Sequence, residues 1–156
     1  MNYALWSRRK VLGIPILALA ATPQMVWSQS QPVMVYRDPS CGCCGGWIDH
    51  LRQSGYAITV EESSDLDLIK RQLGVPAELW ACHTASLAGY AVEGHVPAHA
   101  LARLLAERPA FKGIAVPGMP TGSPGMEGGR EEVYEVVGFD GPNRVSLGRY
   151  RGSQPV

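Results

Sequence analysis

The sequence predicts a mixed α/β fold with a small sheet, flanking helices and a C-terminal hairpin, and three observations carry that prediction. A β-rich run, Val33 to Arg37, passes through a turn directly into a segment of helical periodicity. A second strand and helix follow without a long connection. The end of the chain then reads as two strands, Glu132 to Phe139 and Arg144 to Arg149, divided by Asp140-Gly141-Pro142-Asn143.

Each element has its own local reason. Asp38-Pro39-Ser40 makes a turn after the first strand. Cys44, Trp47, Ile48 and Leu51 then fall at i, i+3, i+4 and i+7, the apolar face of a helix that stops near Ser54-Gly55. Tyr56 to Val60 reads as the second strand, and Ser64-Asp65-Leu66-Asp67 as a capping-box start for a helix closing at Gly74. Beyond Pro76 a short helical turn leads to Trp80-Ala81-Cys82-His83. A hairpin over Ala85 to Val92 follows, turning at Ala88-Gly89. Pro97 opens a third helix with Ala98, Leu101, Leu104 and Leu105 on one face. From Gly113 to Gly129 the density of Gly and Pro predicts a loop.

With 156 residues, 46% of them hydrophobic, the chain suffices for one domain with a modest core. Fourteen basic residues balance 14 acidic ones and form no basic block, which excludes nucleic acid as an expected partner. Residues 1–28 read as a signal peptide: Arg8, Arg9 and Lys10, the apolar run Val11 to Ala21, then a polar stretch to Ser28. That run of about eleven residues is too short for a membrane span, which needs about 20. Cleavage is expected after Ser28, with Ala20 as the alternative, leaving residues 29–156 as a single domain. Ser7-Arg8-Arg9-Lys10-Val11-Leu12 resembles the twin-arginine export motif, with Val where Phe is usual. Removing the peptide takes three of the 14 basic residues and none of the acidic ones, a formal charge of −3. The expected location is the periplasm.

Export makes two disulfides the simplest state for four cysteines. Cys43 and Cys44 are poor partners, because adjacent Cα atoms lie about 3.8 Å apart, below the usual minimum of about 4.4 Å. Cys41 with Cys44, and Cys43 with Cys82, remain feasible pairs. Three thiols within four residues exceed what a redox pair needs. Successive side chains diverge, so bridging sulfurs holding two or more Cu(I) ions suit the motif better than one ion does. A helix N-terminus also favours thiolate over thiol. Ligand type alone leaves copper, zinc and iron–sulfur centres open, although structural zinc sites usually use two spaced Cys pairs. His83 adjoins Cys82 and is a secondary metal candidate, as are Met119 and Met126, two thioethers in the Gly/Pro-rich loop. His95 and His99 flank Pro97 without sharing a helix face and are read as non-ligands; His50 lies off the apolar face and is expected in solvent.

Four blocks in order then resemble a known family: Tyr36 to Trp47 around Cys41-Gly42-Cys43-Cys44; Cys82 to Ala85; Val92 to Pro97; and Val116 to Pro120 with Gly122 to Glu127. They are similar to the CopG-type periplasmic copper-resistance proteins over about Val33 to Gly152. The resemblance implies a thioredoxin-like fold and a cysteine-bridged copper cluster able to change oxidation state. It also implies ligand roles for Cys41, Cys43, Cys44 and Cys82. Three functions follow as expectations: a Cu(I)/Cu(II) cycling protein of copper resistance, with possible copper oxidoreductase activity; a thiol–disulfide oxidoreductase in which Cys41 attacks and Cys44 resolves; and a module delivering Cu(I) to other periplasmic copper-handling proteins.

Overall fold

The computed structural model describes residues 31–156; the expected signal peptide and its two candidate cleavage sites lie outside them. The described residues form a mixed α/β structure on one eight-stranded sheet, in the order β2-β1-β3-β4-β5-β6-β7-β8. The elements are β1 (Pro32–Arg37), α1 (Cys43–Gln53), β2 (Ala57–Glu62), α2 (Leu66–Leu73), a 3₁₀ turn (Ala77–Leu79), β3 (His83–Leu87), β4 (Tyr90–Glu93), α3 (Ala98–Glu107), β5 (Gly113–Ala115), β6 (Val133–Asp140), β7 (Asn143–Arg151) and β8 (Gln154–Pro155). A β-α-β unit places β1 parallel to β2, and β3 returns antiparallel on the other side of β1. This arrangement is consistent with the thioredoxin-like expectation.

Three details differ from the sequence reading. Gly113 to Ala115, expected as loop, pairs parallel with β4 and antiparallel with β6. A strand of three residues is too short to show alternation, so Gly/Pro density masked it. The short β8 was likewise not anticipated. α2 is capped by Asp65, whose carboxylate accepts the Leu68 N–H at 3.1 Å, so the cap falls one residue after Ser64. The Ala88-Gly89 turn is as expected, with φ of +49° and +90° at its two residues.

Strand alternation divides the apolar residues between the two faces of the sheet. On one face Val33, Val35, Ala85, Leu87, Val92 and Ile114 meet Trp47, Ile48 and Leu51 of α1 and Leu101 and Leu104 of α3 in the main core. On the other, Ala91, Ala115, Val137 and Phe139 pack with Val75, Leu79, Leu73 and Trp80, around the end of α2.

The main core is locked to the loop after β5 by direct backbone contact. A Cβ on Gly46, in α1, would lie 2.8 Å from Gly125 Cα. A Cβ on Gly125, whose φ is +87°, would lie 2.6 Å from the Trp47 nitrogen and 2.9 Å from the Cys43 oxygen. Only glycine leaves room for this approach.

Candidate metal centre

Asp38 organises the entry to the cysteine motif. Its carboxylate accepts the Ser40 N–H at 2.7 Å and the Ser40 hydroxyl, and its carbonyl accepts the Cys41 N–H at 3.0 Å. The Ser40 bonds hold the Asp38 carboxyl below the usual carboxylate range. The chain then enters α1 at Cys43 with Gly42 as N-cap and no capping side chain, so the first-turn N–H groups stay available toward the sulfurs.

Four sulfurs converge there. Cys41 and Cys44 form a disulfide, while Cys43 and Cys82 are free thiols. Cys43 Sγ lies 3.6 Å from Cys41 Sγ and 3.4 Å from Cys82 Sγ, and Cys44 Sγ lies 3.7 Å from Cys82 Sγ. One ligand atom from each of the four fits within 4.8 Å of all the others. Cys82 closes the cluster from the position just before β3, the strand beside β1 in the sheet.

A second group shares Cys82. The ligand nitrogens of His83 and His95 and the Cys82 sulfur also lie within 4.8 Å of one another. Cys82 Sγ is 3.3 Å from His83 Nδ1 and 3.4 Å from His95 Nε2. His95 Nδ1 is 2.7 Å from the Pro124 carbonyl, an acceptor only, so Nδ1 carries the proton and Nε2 presents a lone pair to Cys82. Both imidazoles are fully buried. The His83 ring lies 4.3 Å from that of Trp47 and 5.0 Å, edge-on, from that of His95. Trp47 is fixed in turn by donating from Nε1 to the Val96 carbonyl at 2.8 Å.

Burial keeps these groups uncharged. It pushes His83 down to about 3, with the charges of His95 and Lys70 adding to the effect. Burial lowers His95 as well, against the Pro124 hydrogen bond and the charge of Glu127. Cys82 is pushed up to about 12, first by burial and then by the hydrogen bond and charge of Cys43. The pocket therefore holds neutral nitrogen donors and a protonated thiol, and a soft metal entering it displaces the thiol proton. Soft sulfur with imidazole is a donor set that fits copper or zinc and does not fit magnesium or calcium.

Met119 is 38% exposed, and Met126 is half-buried in a turn where its N–H donates to the Ser123 carbonyl at 2.8 Å. His95, read from the sequence as a non-ligand, belongs to the site: Pro97 breaks any shared helix face with His99, but the turn at Gly94 brings His95 inward. His50 is half-buried rather than solvated, and its Nε2 accepts the Ala98 N–H at 3.0 Å, tying α1 to the start of α3. His99 is exposed, with Nδ1 3.3 Å from the Tyr150 hydroxyl. The sequence reading also passed over Lys70 and Glu93, which are 2% and 0% exposed and form an ion pair. The available signal was a lysine on the inward face of α2, in step with Leu66, Ile69 and Leu73.

Comparison with known proteins bears on the same residues. A family model described as a protein of unknown function, DUF411, matches residues 79–126, which include Cys82, His83, Glu93 and His95. A solved structure titled copper resistance protein CopG, form 2, is 44% identical, with a TM-score of 0.74, over 78% of this chain and 99% of that one. The chain belongs to the CopG family. Form 1 of that CopG protein matches equally well, at 44% identity and a TM-score of 0.73, over 78% of this chain and 98% of its own. No curated protein matches the chain. CopG membership and the cysteine cluster together support a copper-related function. Among the described residues, no helix is long and apolar enough to cross a membrane.

Proposed function

We propose that this chain is an exported copper-resistance protein of the periplasm that holds copper ions on Cys41, Cys43, Cys44 and Cys82 and lets them cycle between Cu(I) and Cu(II). The observation that carries this reading is the convergence of four sulfurs within 4.8 Å, with two buried, neutral imidazoles against the fourth. Thiolates bridging adjacent ions allow a multinuclear site. Imidazole beside sulfur suits both oxidation states, since sulfur favours Cu(I) and nitrogen tolerates Cu(II). Each ion oxidised gives one electron to an external acceptor. Copper titration of the reduced mature protein should load more than one ion per chain, and X-ray absorption should report sulfur ligation with a Cu–Cu distance. A ceiling of one ion, or a site that prefers zinc, sinks the cluster model.

The Cys41–Cys44 disulfide favours a second reading, a thiol–disulfide oxidoreductase that needs no metal. Disulfide reductase turnover by metal-free protein, lost on Cys41→Ser, would place this reading first. A third role, delivery of Cu(I) without redox change, differs from cycling in showing no reversible Cu(I)/Cu(II) wave.

A further inference from the structure

The Lys70–Glu93 ion pair is buried beside the candidate metal centre, and the hydrogen bonds of Lys70 Nζ and Glu93 Oε1, apart from the pair's own, end on the backbone of the two residues that flank a third. Glu93 Oε1 accepts the Ala81 N–H at 2.6 Å. Lys70 Nζ donates to the Ala81 carbonyl at 2.9 Å and to the His83 carbonyl at 3.4 Å, besides pairing with Glu93. The residue bracketed by these bonds is Cys82. We propose that Lys70 and Glu93 are positioning residues: a clamp, drawn from α2 and β4, that fixes the backbone on both sides of Cys82 and so holds its sulfur against Cys43, His83 and His95.

Energetics argue against a merely stabilising role. Desolvating two charges costs several kcal/mol per ion, and an apolar pair of similar volume often stabilises a fold as well or better. What an apolar pair cannot do is hold three backbone groups at fixed points. Cys82 needs such support because it precedes β3, where sheet pairing has not begun: the β1–β3 register starts at Arg37 with His83. On the other side of Cys82, the residue joins a 3₁₀ turn of three residues through Trp80 and Ala81. Without the clamp, Ala81 and Cys82 would be a short connection between two elements that leave its peptide groups unpaired. A displacement of about 1 Å at a reactive or ligating atom is enough to change its chemistry substantially.

The inference rests on the copper reading for its biological purpose, but its test does not require copper. In a Cys41→Ser/Cys44→Ser background, diamide oxidises the two remaining thiols. Cys43 and Cys82 give up two electrons and two protons to the diamide N=N bond and form one disulfide, at a rate that reports how Cys82 is held. Lys70→Met/Glu93→Leu should slow this cross-linking about tenfold or more, with circular dichroism of the metal-free protein showing that the fold is retained. Glu93→Gln keeps an acceptor for the Ala81 N–H and should cross-link at close to the parent rate. Lys70→Met/Glu93→Gln withdraws the ammonium group while keeping an acceptor for the Ala81 N–H and should be slowed to an intermediate degree; it serves if the first double variant does not fold. A parent-like rate in either folded double variant overturns the clamp. If cross-linking behaves as expected but Cys82→Ser leaves copper binding unchanged, the copper reading fails and the clamp stands.

Discussion

Two faces of one sheet end bury polar groups beside Cys82, and they do so with opposite chemistry. Toward α1 and α3 lie His83 and His95, neutral, aimed at sulfur, with His83 Nε2 buried and without a partner among the described residues. Toward α2 lie Lys70 and Glu93, bonded through Lys70 Nζ and Glu93 Oε1 to each other and to backbone on either side of Cys82, while Glu93 Oε2 has no partner among the described residues. Donors left available and aimed at sulfur suit capture of a ligand, whereas the ammonium and the one carboxylate oxygen committed to peptide groups suit holding a shape. The difference teaches that burial alone does not mark a binding residue; what matters is whether its lone pairs are already used.

The change with the largest expected effect removes the atom on which both faces converge. Cys82→Ser swaps a soft donor for a hard one with little change in volume. It should lower copper stoichiometry and the melting temperature of the copper-loaded protein markedly, and leave the metal-free protein nearly unchanged. An equal drop in metal-free protein would show that Cys82 acts structurally.

Acid titration separates the two faces next. His83 takes up its proton near 6.5 when unfolded but only at about 3 when folded. Copper-free protein should therefore lose stability as pH falls from 6.5 toward 3, on the order of a few kcal/mol in total. Glu93 acts in the opposite sense. Burial raises its carboxyl against the pull of Lys70, so the folded state takes up that proton first, and stability is gained as pH falls toward 4.5. Denaturant unfolding across this range should show a shallower acid loss in His83→Gln and a steeper one in Glu93→Gln; parallel curves for all three proteins would remove the contrast.

Smaller effects are confined to the α1 face. Gly125→Ala puts a Cβ against the Trp47 nitrogen at a positive φ and should cost about 1–3 kcal/mol. Trp47→Phe loses the bond to the Val96 carbonyl and should cost about 1–3 kcal/mol, since that buried acceptor loses its donor. Equilibrium unfolding measures both. A cost in Trp47→Phe as large as that of Gly125→Ala would mean that the hydrogen bond counts for as much as the backbone contact.

Half of this site was legible in the sequence because half of it is local. Cys41, Cys43 and Cys44 sit on a turn and a first helical turn, whose signals lie within a few residues. Cys82 lies 38 residues beyond Cys44, and only a family resemblance gave it a ligand role beside them. His95 was misjudged because helical spacing was tested against His99, while its true neighbours are set by the β4–α3 connection. Lys70 and Glu93 are 23 residues apart on a helix and a strand, and no period links them. The strand–helix alternation gave the α/β class, but β5 is too short to declare itself and becomes a strand only because β4 and β6 flank it.

The contact between Gly46 and Gly125 reaches beyond this one chain. Because the two main chains touch with no side chain between them, the contact depends little on the residues around it and cannot tolerate a larger residue at either point. Changes elsewhere on the surface or in the core thus leave the demand for two glycines here in place. A template of Cys-Gly-Cys-Cys-Gly-Gly-Trp, with Pro-Gly-Met about eighty positions later, encodes a packing distance as well as a residue pattern. It should retrieve distant kin whose overall likeness has faded, and distinguish them from unrelated proteins that merely carry clustered cysteines.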